Sequence, residues 1–320
     1  MESRETKGKA ARRGWLLPSL LLFAPAIAQA SAAAQEPSPP PTMEQILAAS
    51  TPADWRRPAN ENLLVMQLGN GTVLIELAPD YAPAHVANLR QLAREGWFDG
   101  LAVLRAQDNF VVQWGDPEAS DPSRARPLGG AAATLPAEFD TAIRAELPFD
   151  ALPDADGWAP AVGFDRSFPV ARDPVEARQW LAHCYGSVGA GRGTAPDSSN
   201  GSTLYVVIGQ SPRQLDRNIS LVGRVLRGMP LLASLSRSDA PGGFYTDPAQ
   251  RSTIQSIRLA ADLPEAERPR IEVLRSDTPR FRALVESRRN RPEAWYQRQA
   301  GHIDLCNVPL PVREAAPEPP

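Results

Sequence analysis

Few side chains in this 320-residue sequence could carry covalent chemistry: it holds three histidines, His85, His183 and His302, and two cysteines, Cys184 and Cys306. Ser/His/Asp hydrolysis needs a histidine beside its nucleophile. His85 falls early in an expected helix and reads as a surface or core histidine rather than a base. The acids Asp154 and Asp156 lie in a proline-rich stretch and read as solvated loop. Gly189-Ala190-Gly191-Arg192-Gly193 is glycine-rich, but no strand-to-helix pattern surrounds it, so a phosphate-cradling loop is not expected. His183 and Cys184 with His302 and Cys306 would make a legal zinc set of two nitrogens and two sulfurs. In an exported chain the even cysteine pair reads first as one disulfide, with zinc or two independent thiols as the alternatives.

Composition narrows the classes. A formal net charge of −3 gives no electrostatic case for nucleic-acid binding. Lys7 and Lys9 are the only lysines, and the arginines that follow are scattered among acids. Export is written into the N-terminus: Lys7, Lys9, Arg12 and Arg13 precede an apolar run over 15–28. That run is short for a membrane span, and small residues follow it, with cleavage expected after Ala30 or Ala34. The reading is a signal peptide over 1–30 and a periplasmic protein with no membrane attachment after cleavage. An uncleaved anchor is the competing reading. The 33 prolines, dense over 36–60, 117–175 and 306–320, predict long irregular connections.

The elements that must position any site sharpen from residue 63. Strands are expected over 63–68 and 72–77, joined through Gly69-Asn70-Gly71, whose Asn-Gly step is a hairpin signal that calls for positive φ. Ala82-Pro83 opens a helix in which Val86, Leu89, Leu92 and Ala93 share one face, and Gly96 stands where a terminating glycine belongs. Further strands are expected over 101–104, 109–114, 203–208, 221–225 and 254–259, with a helix over 229–235. The stretch 117–183 is weakly periodic and reads mainly as a surface insertion, with a helix over 175–181 as an option. Residues 280–290 read as a basic helix. Many short strands, two helices and no strand–helix–strand rhythm argue for a β-barrel.

Two ordered blocks resemble the cyclophilin-type peptidyl-prolyl cis-trans isomerase family. The first runs from Thr72-Val73-Leu74-Ile75-Glu76-Leu77 through Ala82-Pro83, Val86-Ala87-Asn88-Leu89 and Gly96-Trp97-Phe98-Asp99-Gly100. It continues into Val103-Leu104-Arg105 and Phe110-Val111-Val112-Gln113-Trp114-Gly115-Asp116-Pro117. The second comprises Asn200-Gly201-Ser202, Thr203-Leu204-Tyr205-Val206-Val207-Ile208, Leu215-Asp216, Leu221-Val222-Gly223-Arg224-Val225 and Gly228-Met229. Leu135-Pro136-Ala137-Glu138-Phe139 is a smaller landmark. The resemblance implies a mainly β fold: an eight-stranded closed β-barrel capped by two helices. The implied domain spans 63–263, with an enlarged loop insertion near 140–180. A linker and N-terminal extension (31–62) precede it and a C-terminal extension (264–320) follows.

By the same resemblance Arg105 and Gln113 are the catalytic residues. Phe110, Val111, Gly191, Arg192, Thr203, Tyr205, Leu215 and Ile219 are the substrate-binding ones. No cofactor, metal or covalent intermediate is implied, and the partners are proline-containing polypeptides met by a monomer. The sequence departs from the family at several pocket positions. Leu104 replaces the histidine before the arginine, Val111 a methionine and Thr203 a glutamine. Tyr205 stands for a phenylalanine, Gln214 for a tryptophan and Ile219 for a histidine. A cyclophilin-fold binding module or chaperone with little catalysis is therefore the alternative to an isomerase.

Overall fold

The computed structural model describes residues 40–316. The expected signal peptide (1–30) and residues 31–39 of the expected linker lie outside them. Helix α1 (Met43–Ala48) opens on a capping box in which the Thr42 hydroxyl accepts from the Gln45 amide at 3.3 Å and the Gln45 side chain accepts from the Thr42 amide at 2.9 Å. A two-residue strand β1 (Trp55–Arg56) leads to the hairpin β2 (Leu63–Leu68) and β3 (Gly71–Leu77). Positive φ falls on Gly71 itself, at +148°, one residue later than a turn centred on Asn70 would need. Helix α2 (Pro83–Arg94) is followed by Gly96 at φ +65°, as the sequence predicts, then by β4 (Ala102–Ala106) and β5 (Val111–Gly115).

The stretch expected to be mainly surface loop contains a second sheet. Strands β6 (Thr141–Ala142), β7 (Asp150–Ala151), β8 (Ala161–Asp165), β9 (Phe168–Asp173) and β10 (Arg178–Leu181) pair antiparallel in the order β6-β10-β9-β8-β7. The helix considered over 175–181 is thus corrected to strand β10, whose Gln179, Trp180 and Leu181 are buried. The chain re-enters the first sheet with β11 (Ser187–Ala190), β12 (Leu204–Val207) and β13 (Leu221–Arg227), then helix α3 (Met229–Ala233) and β14 (Ile254–Leu259). Strand β15 (Ile271–Leu274), helix α4 (Pro279–Arg289) and strand β16 (Val312–Glu314) complete the described chain.

The eight-stranded sheet runs β14-β2-β3-β13-β11-β12-β5-β4, and its two edges meet. The amide of Val103 donates to Ser252 at 2.9 Å and that of Ile254 to Leu101 at 2.7 Å, beside a bridge between Ala102 and Thr253. This is the closed barrel, capped by α2 and α3, and closure removes the exposed edges an open sheet would offer to other chains. Met66, Val73, Ile75, Val112, Trp114, Val206 and Ile257 fill its interior with α2's Val86, Leu89 and Leu92.

Strand β2 reads as a continuous apolar run because both of its faces are covered. Leu64, Met66 and Leu68 turn inward, while Leu63 and Val65 pack outward on Ile271 and Val273 of a three-stranded sheet, β1-β15-β16. The insertion sheet is covered as well. Phe164 and Trp180 share a core with Ile46 of α1 and with Phe281, Leu284 and Val285 of α4; the Phe164 and Phe281 rings meet edge to face at 5.0 Å. Asp154 and Asp156, expected in solvated loop, are instead half-buried and held in ion pairs. Asp154 accepts from Arg289 at 2.7 and 2.8 Å, and Asp156 from Arg213 at 2.9 Å. Burying a carboxylate is tolerable only with such a partner.

Cys184 and Cys306 form a disulfide with Cα atoms 5.0 Å apart, closing a separation of 122 residues and tying the end of the insertion to the C-terminal extension. With the sulfurs bonded to each other, the zinc alternative loses its two thiolates. No helix among the described residues is long and apolar enough to cross a membrane.

Candidate active site

Strict alternation along β4 would point Val103 and Arg105 to the same face, and Val103 is fully buried in the barrel. The register shows how the arginine escapes. Val103 pairs with Trp114 and Arg105 with Gln113, so Leu104 is an extra residue, a β-bulge. Trp114 points into the core and Gln113 out of it, and the bulge turns Arg105 out beside Gln113.

The guanidinium is held from three sides. Its Nη1 donates to Gln113 Oε1 at 3.1 Å, Nη2 donates to Gln107 Oε1, and Nε donates to the Gly242 carbonyl. The Phe110 and Phe244 ring centroids lie 5.3 and 5.0 Å from its central carbon. Gly243 lets the 241–243 loop come this close: it sits at φ +75°, and a Cβ there would stand 2.6 Å from Gln107 Cα. Burial lowers the Arg105 pKa from the ordinary arginine value. Of the five guanidinium hydrogens, three serve these bonds, leaving two for a ligand.

Beside the arginine is an apolar patch built from strand register. Tyr205 lies opposite Gln113 and Val207 opposite Val111 across β12 and β5, so all four share the outer face. Val111, Tyr205 and Val207 are buried there, with Phe110 and Ile219 partly buried against them. Gly189 is the next partner of Tyr205 across β11, and the phenol ring lies over it. The Tyr205 hydroxyl meets His183 Nε2 at 2.9 Å, and His183 Nδ1 meets Asp216 Oδ1 at 2.9 Å. Burial, then the Asp216 charge, push the Tyr205 hydroxyl pKa well above the usual tyrosine value.

The structure thus brings together Arg105, Gln113, Phe110, Val111, Tyr205 and Ile219. Thr203 and Gly191 sit at the end of the same strands, where the Gly191 amide donates to the Thr203 carbonyl at 2.8 Å. Arg192 is turned elsewhere: its Nε donates to the Asn218 carbonyl at 2.9 Å and its guanidinium stacks 5.5 Å from the Phe139 ring. Leu215 lies in a short 3-10 turn and is not part of the apolar cluster. His85 is buried under the start of α2, where Glu138 accepts from its ring at 2.6 Å and from the amides of Ala84 and His85. Glu138 therefore supplies the N-terminal cap that Ala82 lacks, which gives the landmark around it a structural purpose.

Sequence reasoning missed Gln107, Gly242, Phe244 and Asp216, and it weighed His183 only as a metal ligand. The Gly242-Gly243 pair was the one local signal, since it marks a tight turn.

Residues 63–259 match the family described as cyclophilin type peptidyl-prolyl cis-trans isomerase/CLD. A probable peptidyl-prolyl cis-trans isomerase of Brucella suis is 27% identical over 205 residues, covering 61% of this chain and 84% of its own length. Peptidyl-prolyl cis-trans isomerase ppi1 of Schizosaccharomyces pombe is 42% identical over 52 residues, 16% of this chain and 34% of its own. The crystal structure of cyclophilin AquaCyp293 from Hirschia baltica superposes with a TM-score of 0.67 at 26% identity. That match covers 86% of this chain and 99% of the other, so it extends beyond the residues of the family match.

Proposed function

The chain belongs to the cyclophilin-type peptidyl-prolyl cis-trans isomerase family, and from that premise we propose that it isomerises X-Pro bonds in exported polypeptides through Arg105. The observation that carries the reading is the guanidinium fixed 3.1 Å from Gln113 at the rim of the Phe110, Val111, Tyr205 and Val207 patch. Amide resonance sets a barrier of about 18–20 kcal/mol to rotation. Twisting the bond localises a lone pair on the prolyl nitrogen. An uncommitted N–H of Arg105 donates to that nitrogen and stabilises the twisted amide, while the prolyl ring rests on the apolar patch. Gln113 holds the guanidinium in place. The catalysis is tighter binding of the twisted state than of either planar one, and it calls for no cofactor.

Export rests on the N-terminal signal pattern, and a disulfide suits an oxidising compartment such as the periplasm. The substrates are then unfolded or loop segments of proteins that fold there, met by a monomer.

One observation favours the alternative, a binding module with little catalysis: the Phe244 ring and the Gly242 carbonyl also engage the Arg105 guanidinium, which leaves fewer of its N–H groups for a substrate. The deciding experiment is the isomerisation rate of a short Ala-Pro peptide with the mature protein and with Arg105→Ala. A large loss on substitution supports the isomerase, and equal background rates from folded samples leave the binding module.

A further inference from the structure

The apolar patch of Phe110, Val111, Tyr205, Val207 and Ile219 contains one polar side-chain atom, the Tyr205 hydroxyl. Facing a prolyl ring, that hydroxyl would lose its water without gaining a partner, which is costly. The structure turns it away. The tyrosine ring runs across Gly189, where an added Cβ would stand 2.2 Å from both Cζ and the hydroxyl oxygen. It ends on His183, a fully buried histidine, at 2.9 Å, with the two rings nearly parallel.

We infer that His183 is a positioning residue for the pocket: it holds the Tyr205 hydroxyl across β11, away from the apolar patch, so that the ring presents only carbon to a proline. The inference rests on the pocket reading above. Asp216 makes the arrangement directional. Its Oδ1 accepts from both the His183 amide and Nδ1, each at 2.9 Å. Nδ1 therefore carries the proton, and Nε2 is left to accept from the tyrosine. Oδ2 accepts from Arg213 Nε at 2.6 Å and from Trp180 Nε1 at 3.3 Å, so the carboxylate cannot turn without breaking several bonds. Arg213 is anchored in turn by Asp156, and Cys184, next to His183, is bonded to Cys306. The wall of the pocket is thus held by the insertion and the C-terminal extension.

The test compares His183→Leu in two backgrounds, the native chain and Tyr205→Phe, using an Ala-Pro peptide in the isomerisation assay. In the native background His183→Leu raises KM about tenfold with kcat little changed, since a hydroxyl has lost its buried partner. In the Tyr205→Phe background the same replacement moves KM by less than about twofold, because no hydroxyl remains to be held. Equal effects in both backgrounds would mean that His183 acts only by filling space, and no effect in either would also overturn the inference. Where His183→Leu does not fold, His183→Phe, which likewise cannot accept from the hydroxyl, takes its place with the same expectations. His183→Gln, which can still accept a hydrogen bond, should keep KM close to native; a His183→Gln variant as impaired as the others would overturn the inference. Should the native chain bind the peptide without isomerising it, the isomerase reading fails, and the four proteins are compared by Kd from titration with the same criteria. A native chain that does not bind the peptide removes the pocket and this inference together.

Discussion

Arg105 and Gln113 stand opposite one another, Nη1 to Oε1 at 3.1 Å, because Leu104 is one residue too many for the pairing of β4 with β5. The position where the family places a histidine is here the bulge residue, and its carbonyl accepts from the Tyr245 amide at 2.9 Å. That bond draws the 241–245 segment against β4 and brings Gly242 and Phe244 to the guanidinium. The bulge therefore exposes the arginine and recruits the loop that fixes it.

If the planar fork matters and not merely the charge, Arg105→Lys should be nearly as damaging as Arg105→Ala. A lysine cannot serve Gln113, Gln107 and the Gly242 carbonyl while reaching a prolyl nitrogen. The expected loss is about a hundredfold in kcat/KM, or about 2.7 kcal/mol of barrier lowering. Protease-free peptide kinetics with both variants read this directly. A lysine variant within a few fold of native would show that a positive charge near the pocket suffices.

Gly189 has no alternative while Tyr205 crosses it. Gly189→Ala would drive a methyl to within 2.2 Å of the tyrosine ring, so the ring must leave the wall or β11 must shift. Overpacking of this kind costs about 1–3 kcal/mol. Urea unfolding should show that loss, and Ala-Pro peptide binding should weaken in the same sample. A variant with native stability and native affinity would mean the ring has another seat.

How much of this was legible beforehand follows from which interactions are local. The hairpin of β2 and β3, helix α2 with Gly96 behind it, and β14 were readable because alternation, a first-turn proline and terminating glycines are written in adjacent residues. The insertion sheet was not. Two of its strands are two residues long, β9 contains Pro169, and the turn between β8 and β9 is made by Arg166 and Ser167 at φ +45° and +69° instead of by glycine. Its core partners, Ile46 and Phe281, lie 118 and 117 residues from Phe164 on either side, so no local period reports them. At the site, Arg105 and Gln113 were found through a family pattern. His183 was considered only within an alternative zinc set, and its actual partners went unseen, because the proximity of Tyr205 and Asp216 to it exists only in the fold.

The Cys184–Cys306 bridge closes 122 residues and should be a principal fastening of the extension. Loop-closure entropy predicts that Cys306→Ser lowers stability by about 2–5 kcal/mol. The hydrophobic contacts of α4 with the insertion sheet remain, so the variant should still fold. Denaturant titrations of the native chain with and without reductant should reproduce the difference, while the Cys306→Ser variant should ignore the reductant. A native chain equally stable when reduced would show that the core around Phe281 alone holds the extension.

Acid should loosen the fold and the pocket through the same carboxylates. At Asp216 burial opposes ionisation, but hydrogen bonds from His183 and the charge of Arg213 outweigh it and hold the pKa below the usual aspartate value. At Glu138 burial is likewise outweighed, by hydrogen bonds from His85 and from the α2 amides. Both groups have folded pKa values below their unfolded ones, which are about 3.9 and 4.3. Their contribution to stability is therefore complete above the unfolded values and is lost as pH falls through the folded ones. Urea midpoints should be flat from neutrality to about pH 5 and then decline. Asp216→Asn should start lower and decline less, so that the two curves converge in acid. The pocket should follow, because a protonated Asp216 no longer holds His183 and Arg213 as the carboxylate does, and KM for an Ala-Pro peptide should rise over the same interval. Parallel stability curves down to about pH 3, where the unfolded groups are themselves mostly protonated, would remove Asp216 as the acid-sensitive fastening of the pocket wall.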